Sequence, residues 1–280
     1  MIIEVENLVK NYGDVKAVSG ISFSVEKGSL FSFLGTNGAG KSTTISVLTT
    51  LLQKTSGQVN VGGYDIDKDS EKIRNLIGIV FQDSILDKEL TVYENLCVRG
   101  SLYPDIKNVK EAAKRVLMLT GIDYANRRYK ALSGGQRRRA DIARALVHTP
   151  EILFLDEPTT GLDPKTRRDI WDLIRGLQKK HGTTVFLTTH YMEEAAESDN
   201  IVIIEKGEIK AEGTPVSLKE KYCTDKLKVL MKNGEKIEHD IPRTIDAIPF
   251  IIEKQNEIEN IEIINGTLDD VFLNLTGGLN

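Results

Sequence analysis

The sequence predicts an α/β fold with a parallel sheet at its centre, and three observations lead to this prediction. Short apolar runs, typical of strands buried on both faces, alternate with segments of helical periodicity. One such run, at residues 30–34, leads through a glycine-rich loop into a helical pattern. Of two further runs, the one at residues 152–155 is followed by two acidic residues and the one at residues 183–189 by a histidine. Ligands bind at the carboxyl ends of strands in open α/β sheets, so these polar groups mark the expected site.

The glycine-rich loop has the spacing of a phosphate-binding loop. Residues 35–43 have the sequence GTNGAGKST, which matches G-x-x-x-x-G-K-[ST]. Glycines let successive N–H groups point into one concavity, and the following helix adds its positive end. The lysine would reach the β- and γ-phosphates, and the serine hydroxyl would ligate Mg²⁺. The pattern predicts a P-loop NTPase core that binds nucleotide through Gly35, Asn37, Gly38, Ala39, Gly40, Lys41, Ser42 and Thr43.

Asp156 and Glu157 end the apolar run that begins at Ile152. Burying two adjacent carboxylates without a cation or hydrogen-bond donors is costly, which disfavours a purely structural role. We expect Asp156 to hold Mg²⁺, directly or through water, and Glu157 to polarise an attacking water molecule.

A second anion-binding helix end is predicted at residues 132–136, which have the sequence LSGGQ. Ser133 is a favourable N-cap, and the two glycines leave the helix N-terminus bare. An ordinary helix cap is the alternative. The arginines that follow, Arg137, Arg138 and Arg139, indicate a solvated helix face rather than a nucleic-acid patch.

Tyr12, Gln82 and His190 are less informative when they are considered singly. Tyr12 lies beside a turn, where it either packs at the surface or stacks on a purine. Gln82 follows a predicted strand, and its neighbours in the sequence indicate an ordinary surface residue. His190 ends a buried strand on the same sheet edge as Glu157, which raises its chance of a functional role.

Length and composition exclude several classes of protein. The chain has 280 residues, enough for one large α/β domain and a small appendage. Its net charge of −4 provides no global basic field, so no nucleic-acid partner is expected. The two cysteines cannot form a disulfide framework and indicate a reducing compartment. The sequence has no apolar run of 18 residues and no signal-peptide pattern, so other chains would have to supply any membrane channel.

We predict a nucleotide-binding domain over residues 1–215 and a small α+β accessory domain over residues 216–280. Alternating strand patterns over residues 2–35 predict an antiparallel β subdomain ahead of the phosphate loop. Helical periodicity between about residues 83 and 145 predicts a helical subdomain. In the appendage, Asn233-Gly234 between two strand-type runs predicts a hairpin, followed by a further strand and a capped helix.

With these motifs in order, the chain from about residue 2 to residue 213 resembles the ATP-binding-cassette ATPases. The resemblance includes Walker A at residues 35–43, the Q-loop Gln82 and the signature at 132–136. It continues with Walker B at 152–156, the following Glu157, a D-loop at 161–163 and the switch His190. Thr36 and Phe81 stand where this family frequently has proline, but both are outside the phosphate chemistry.

The resemblance implies that two cassettes dimerise head to tail around two ATP molecules. Tyr12 would stack on adenine, and Gln82 would contact both Mg²⁺ and the lobe that touches the membrane partner. Glu157 would be the general base, His190 would hold the γ-phosphate, and Asp163 would bridge the subunits. The ligands of the ATP held by the other subunit would lie in the signature: Ser133, Gly134, Gly135 and Gln136.

Within this family, residues 90–96, 192–195 and 269–273 look like those of bacterial cassettes for drug resistance and lipid export. This implies an ATPase subunit of an exporter at the inner face of the cell membrane. Its partners would be separate transmembrane permease subunits and a second ATPase subunit, in a homodimer or a heterodimer. The sequence does not name the cargo.

The alternative is a soluble cassette protein that acts on ribosomes or DNA. DNA-repair relatives separate Walker A from the signature by long coiled coils, whereas Lys41 and Ser133 are 133 − 41 = 92 positions apart. Translation factors carry two cassettes, and this chain has one P-loop. Glu157 and His190 both disfavour a non-hydrolysing regulator.

Overall fold

The structure is a computed structural model that describes residues 1–277, within which it has thirteen strands and ten α-helices. The strands are β1 (Ile3–Tyr12), β2 (Val15–Val25), β3 (Leu30–Leu34), β4 (Ser56–Val61), β5 (Tyr64–Asp65), β6 (Ile77–Val80), β7 (Ile152–Asp156), β8 (Thr184–Thr189), β9 (Asn200–Glu205), β10 (Glu208–Gly213), β11 (Asp225–Met231), β12 (Lys236–Ile241) and β13 (Ile258–Ile264). The helices are α1 (Lys41–Leu48), α2 (Ser70–Leu76), α3 (Val92–Ser101), α4 (Val109–Leu119), α5 (Gly134–Ala145), α6 (Pro164–His181), α7 (Met192–Ala195), α8 (Pro215–Tyr222), α9 (Ile248–Lys254) and α10 (Leu268–Thr276).

The central sheet has six strands in the order β10-β9-β3-β8-β7-β6. All neighbours pair in parallel except β10, which forms an antiparallel hairpin with β9 at one edge. Every residue of β3 and β8 is buried, as continuous apolar runs predict for a parallel sheet. Leu34 is paired with Thr189 and Asp156 with Thr188, so the strand ends that carry the predicted site lie side by side.

An antiparallel sheet with the order β2-β1-β4-β5 packs against the central one. Five phenylalanine rings join the two sheets, with neighbouring ring centroids 5.2 to 6.1 Å apart: Phe23, Phe31, Phe33, Phe154 and Phe186. Such offset and tilted pairs are favourable arrangements of aromatic rings. The α/β fold with an antiparallel β subdomain is thus confirmed.

The helical subdomain consists of α3, α4 and α5, which pack on one another and on one face of the central sheet. Two of these helices begin with a capping box, in which the N-cap hydroxyl and the side chain three residues on bond reciprocally to the backbone. The N-caps are Thr91 for α3 and Ser133 for α5.

Residues 216–277 pack in two places. Strands β11, β12 and β13 form a three-stranded antiparallel sheet with a small core of its own beneath α9. Helices α8 and α10 instead pack on the edge of the central sheet, where Leu218, Val271 and Phe272 share a cluster with Leu34 and Ile201. Within residues 1–277 no helix combines the length and the apolar character needed to cross a membrane.

Candidate active site

The phosphate loop joins β3 to α1 at the carboxyl edge of the central sheet. Gly40 has a φ of 107°, and a Cβ at this position would lie 2.6 Å from the carbonyl oxygen of Ala17. Only glycine fits there. Helix α1 begins at the next residue, and no side chain caps its N-terminus. Its first N–H groups are therefore available to an anion, as phosphate binding requires.

Lys41 lies at the bottom of this loop with 4% of its surface exposed. Its Nζ donates to the carbonyl oxygens of Gly35 and Thr36 at 2.7 and 3.1 Å and lies 3.3 Å from Glu157 Oε1. Burial lowers the pKa of Lys41, and the negative charges of Glu157 and Asp156 act in the opposite direction. The ammonium group is thus held by acceptors that a phosphate oxygen can replace.

Ser42 and Asp156, two of the predicted Mg²⁺ ligands, are in contact. Ser42 Oγ donates to Asp156 Oδ1 at 3.3 Å, and Thr188 Oγ1 donates to the same oxygen at 2.6 Å. Thr188 Oγ1 in turn accepts from the Glu157 N–H at 3.1 Å. An all-oxygen set with one carboxylate suits Mg²⁺, which usually keeps several water ligands and takes others from the nucleotide.

Gln82, the third predicted ligand, follows β6 with its side chain exposed. Within residues 1–277 that side chain makes no hydrogen bond, whereas the Gln82 backbone carbonyl accepts from Arg138. The structure therefore brings Ser42 and Asp156 together, and among residues 1–277 the Gln82 side chain is hydrogen-bonded to neither.

Glu157 is the centre of the site. It is 7% exposed and has a φ of 45°, in the left-handed region that a residue with a side chain seldom adopts. Its Oε1 faces Lys41, while its Oε2 lies 3.2 Å from His190 Nδ1 and accepts from Thr160 Oγ1 at 3.1 Å. Burial raises the pKa of Glu157, but Lys41 and His190 outweigh this effect and lower the pKa below its usual value. The side chain is therefore ionised at neutral pH.

Glu157 and His190 approach each other closely without an aligned hydrogen bond. His190 Nδ1 is buried and has no aligned hydrogen-bond partner within residues 1–277, although Glu157 Oε2 is 3.2 Å away. The imidazole packs on the ring of Tyr191, with the two ring centroids 4.1 Å apart. Strand β8 thus delivers a histidine beside the carboxylate that ends β7, as the sequence pattern predicts.

Tyr12 and Asp163 lie on the surface, and neither makes a hydrogen bond to Lys41 or Glu157 within residues 1–277. Tyr12 ends β1 with half of its surface exposed, and Lys10 Nζ lies 5.1 Å from its ring centroid. Asp163 is the N-cap of α6, where its Oδ1 accepts from the Thr166 N–H at 3.0 Å.

The signature residues form the exposed start of α5. Ser133 Oγ accepts from the Gln136 N–H at 3.3 Å, and Gln136 Oε1 accepts from the Ser133 N–H at 3.1 Å. Gly134 and Gly135 lie between them in the first turn, next to the D-loop region, where Leu162 and Thr166 are their neighbours. The predicted ordinary cap is therefore present, and beside it Gly134 is exposed and Gly135 half-buried.

The expectation of a solvated face for the three arginines is wrong for Arg138, which is 8% exposed. Its guanidinium donates to the carbonyl oxygens of Phe81 and Gln82 at 2.7 and 2.9 Å. Arg137 and Arg139 also each donate to a backbone carbonyl oxygen. Arg138 is used for internal hydrogen bonds because α5 runs beside the segment that follows β6.

The hydroxyl groups around the carboxylates were missed by sequence reasoning. Thr160 and Thr188 bond to Glu157 and Asp156, and Thr159 and Thr189 both donate to the buried Glu194. The available signal was threonine at the end of β8 and in the segment after β7, because a buried hydroxyl group needs a hydrogen-bond partner.

Comparison with known proteins identifies the family. The model of the ABC transporter family matches residues 18–160. The daunorubicin resistance ATP-binding protein DrrA3 of Streptomyces coeruleorubidus is 36% identical, over 98% of this chain and 96% of that protein. The linearmycin resistance ATP-binding protein LnrL of Bacillus subtilis is 42% identical over 83% of this chain and 76% of its own length. The Nod factor export ATP-binding protein I of Burkholderia orbicola is 40% identical over 77% of this chain and 72% of its own length.

Solved structures agree with this result. The dimeric post-hydrolysis state of the ATP-binding cassette MJ0796 bound to ADP and Pi has a TM-score of 0.69 and 29% identity, covering 76% of this chain and 98% of that one. CbiO1 of Clostridium perfringens, part of an ABC transporter complex, has a TM-score of 0.71 and 33% identity, covering 78% of this chain and 90% of that one. The chain therefore belongs to the ABC transporter family, as an ATPase subunit of the drug-resistance type.

Proposed function

We propose that this protein binds and hydrolyses ATP to drive export through separate transmembrane subunits, at the inner face of the cell membrane. The observation that carries the proposal is the buried Glu157 carboxylate between Lys41 and His190, next to a phosphate loop. The relatives named for drug resistance and Nod factor export support export over an action on ribosomes or DNA.

The proposed roles follow from the contacts. The loop N–H groups of residues 35–43 bind the phosphates, and Lys41 exchanges its carbonyl partners for phosphate oxygens. As Lys41 turns to the phosphate it shares its charge, so Glu157 becomes more basic than in the ion pair. Glu157 then accepts a proton from water as the water oxygen bonds to the γ-phosphorus and the bond from that phosphorus to ADP breaks. His190 donates a hydrogen bond to the γ-phosphate.

Mg²⁺ is the cation that this oxygen-rich site suits, because it binds through few protein ligands and takes others from the nucleotide and water. Among residues 1–277 there is no cluster of three or more metal-binding His, Cys, Asp or Glu side chains. Ser42 and Asp156 would hold the ion, and Gln82 would join them by a movement of the segment after β6. The bound ion would neutralise charge on the phosphates.

Dimerisation explains the exposed predicted residues. In the proposed dimer, the N-terminus of α5, with Ser133, Gly134, Gly135 and Gln136, binds the γ-phosphate held by a second subunit. Asp163 contacts that subunit, and Tyr12 stacks on adenine. The dimer of the solved MJ0796 cassette with ADP and Pi supports this arrangement.

The transmembrane subunits dock, in this proposal, where the helical subdomain meets the central sheet. A groove of about 410 Å³ lies there, between β6 and α3. Its rim carries the exposed apolar side chains of Leu51, Ile85 and Leu102. Exposed apolar residues gathered around a groove are typical of an interaction site. Residues 1–215 then form the nucleotide-binding domain, and residues 216–280 are accessory to it.

The test is the molar mass of Glu157→Gln by size-exclusion chromatography with light scattering, with and without ATP and Mg²⁺. Loss of the general base should abolish hydrolysis and retain ATP binding, so we expect a monomer that becomes a dimer only with ATP. Lys41→Ala should bind ATP weakly and remain monomeric. Hydrolysis by Glu157→Gln at the wild-type rate would show that the general-base assignment is wrong.

A further inference from the structure

Glu194 is a buried carboxylate to which the proposed mechanism gives no role. It lies in the short helix α7, four residues after His190, and is 3% exposed, whereas the neighbouring Glu193 is exposed. Its Oε1 accepts from Thr159 Oγ1, and its Oε2 accepts from Thr189 Oγ1 at 2.7 Å. Arg167 Nε lies 3.9 Å from Oε1. A carboxylate this deeply buried is stable only with such partners.

These partners come from the two segments that carry the proposed hydrolytic residues. Thr159 lies two residues after Glu157, and Thr189 immediately precedes His190. Thr189 Oγ1 also accepts from the Tyr191 N–H at 3.0 Å, so the backbone is fixed on both sides of His190. One side chain therefore joins the segment after β7 to the end of β8, directly beside the contact between Glu157 and His190.

A second line of contact reaches the imidazole itself. The Arg167 guanidinium lies over the Tyr191 ring, 4.4 Å from its centroid, and Tyr191 packs on His190. Glu194 holds Arg167 by charge, Arg167 holds the tyrosine ring, and that ring limits how the histidine can turn. The hydroxyl bonds and this stack act on the same residue from two sides.

We propose that Glu194 is a positioning residue for ATP hydrolysis, which holds His190 in place against Glu157 through Thr189, Thr159 and the Arg167–Tyr191 stack. The proposal rests on the roles given above to Glu157 and His190. Glu194 touches neither the reacting atoms nor the phosphate loop among the described residues, so its loss should lower kcat and leave ATP affinity nearly unchanged.

The experiment compares Glu194→Gln with Glu193→Gln, a matched change one residue away on the exposed side of the same helix. The glutamine keeps the size of the side chain but removes the charge that holds Arg167 and one of the two acceptors. We expect kcat for ATP hydrolysis to fall by about tenfold to a hundredfold, the scale of a displaced catalytic group, in Glu194→Gln alone. The dissociation constant for ATP, from titration calorimetry, should change by less than about twofold.

A spectroscopic measurement distinguishes positioning from a general loss of stability. The chain has four histidines, so the imidazole ¹H–¹⁵N signal of His190 can be assigned with His190→Ala. Glu194→Gln should shift the His190 signal and leave the other three in place, and Glu193→Gln should shift none. If Glu194→Gln does not fold, Thr189→Val should give the same loss of kcat and the same shift of the His190 signal. Thr189→Ser, which keeps the hydroxyl, should have the wild-type kcat and an unshifted His190 signal.

The outcomes are separable. Wild-type hydrolysis by His190→Ala would overturn the proposed function of that residue, and with it the present proposal. A large loss of kcat in His190→Ala, with no loss in Glu194→Gln or Thr189→Val, would overturn the positioning role alone. A loss of kcat in Glu194→Gln with an unshifted His190 signal would likewise overturn it.

Discussion

At the scale of single residues, Glu157 shows how the fold positions one carboxylate. The parallel register brings the ends of β7 and β8 together, and the left-handed backbone at Glu157 turns its side chain toward Lys41 and His190. Backbone strain of this kind costs on the order of 1–3 kcal/mol and persists only where surrounding contacts hold it. Here the contacts are two basic groups and the Thr160 hydroxyl.

His148 is a buried titratable residue outside this site, and it should make stability depend on pH. It lies between α5 and β7, where its Nε2 contacts the Ile77 carbonyl oxygen at 2.9 Å and its ring stacks on Tyr103. Burial lowers the pKa of His148 from 6.5 to about 4, and Arg99 and Arg144 add to this effect. Between these two values the unfolded chain binds a proton that the folded chain does not, so stability falls as pH decreases from 6.5 toward 4.

His148→Phe keeps the stacked ring and removes the titration. We expect the loss of unfolding free energy between pH 7 and pH 5 to be smaller than in the wild type by about 2 kcal/mol, as measured by urea denaturation. His181→Gln, a change at an exposed histidine, should leave the wild-type difference intact. An equal pH dependence in the wild type and His148→Phe would show that His148 does not titrate with folding.

At the scale of elements, α5 fixes the segment after β6 relative to the signature. Arg138 donates to the carbonyl oxygens of Phe81 and Gln82, and Arg144 donates to that of Ile79. Asp141, on the same helix, accepts from Ser84 Oγ at 2.6 Å. The Q-loop and the signature helix therefore move together unless these bonds break.

Arg138→Lys tests this connection, because an ammonium group cannot reproduce two parallel N–H bonds from a planar guanidinium. We expect a loss of about 2 kcal/mol in unfolding free energy, because the buried Arg138 guanidinium is replaced by a group that cannot keep both hydrogen bonds, together with slower ATP hydrolysis. Arg137→Lys is the control, since that side chain is exposed and makes one such bond. Equal effects of the two substitutions, in urea denaturation and in hydrolysis assays, would contradict the special role of Arg138.

The elements also show what the sequence could and could not predict. The central strands and the Ser133 cap were predictable because burial on both faces and capping chemistry leave local patterns. The 18-residue helix α6 was not assigned, although Asp163-Pro164 is a favourable start and Gly182 a favourable end. The roles proposed for Ser133 and for the Gln82 side chain involve a second subunit or bound nucleotide, and no local sequence pattern specifies where such groups lie.

At the scale of the whole molecule, the end of the chain supports the nucleotide-binding core. Helix α10 contacts α7, the helix that carries Glu194, and covers Leu34 and Ile201 of the central sheet. The strands β11–β13 between α8 and α10 form a separate small core. The described part of the predicted accessory domain, residues 216–277, thus packs partly on the central sheet, because α10 returns to that sheet after β13.

Phe272→Ala should therefore destabilise the nucleotide-binding domain and not only the C-terminal sheet. Phe272 is 2% exposed within the cluster of Leu34 and Ile201, and removing such a ring typically costs about 3–5 kcal/mol. We expect the main unfolding transition in urea, and the loss of ATP binding that accompanies it, to move to lower denaturant. Leu273→Ala, at a side chain that is 43% exposed on the same helix, should change stability by less than about 0.5 kcal/mol. If Phe272→Ala produced a separate early transition while ATP binding kept its wild-type midpoint, the C-terminal segment from residue 216 would unfold independently of the nucleotide-binding domain.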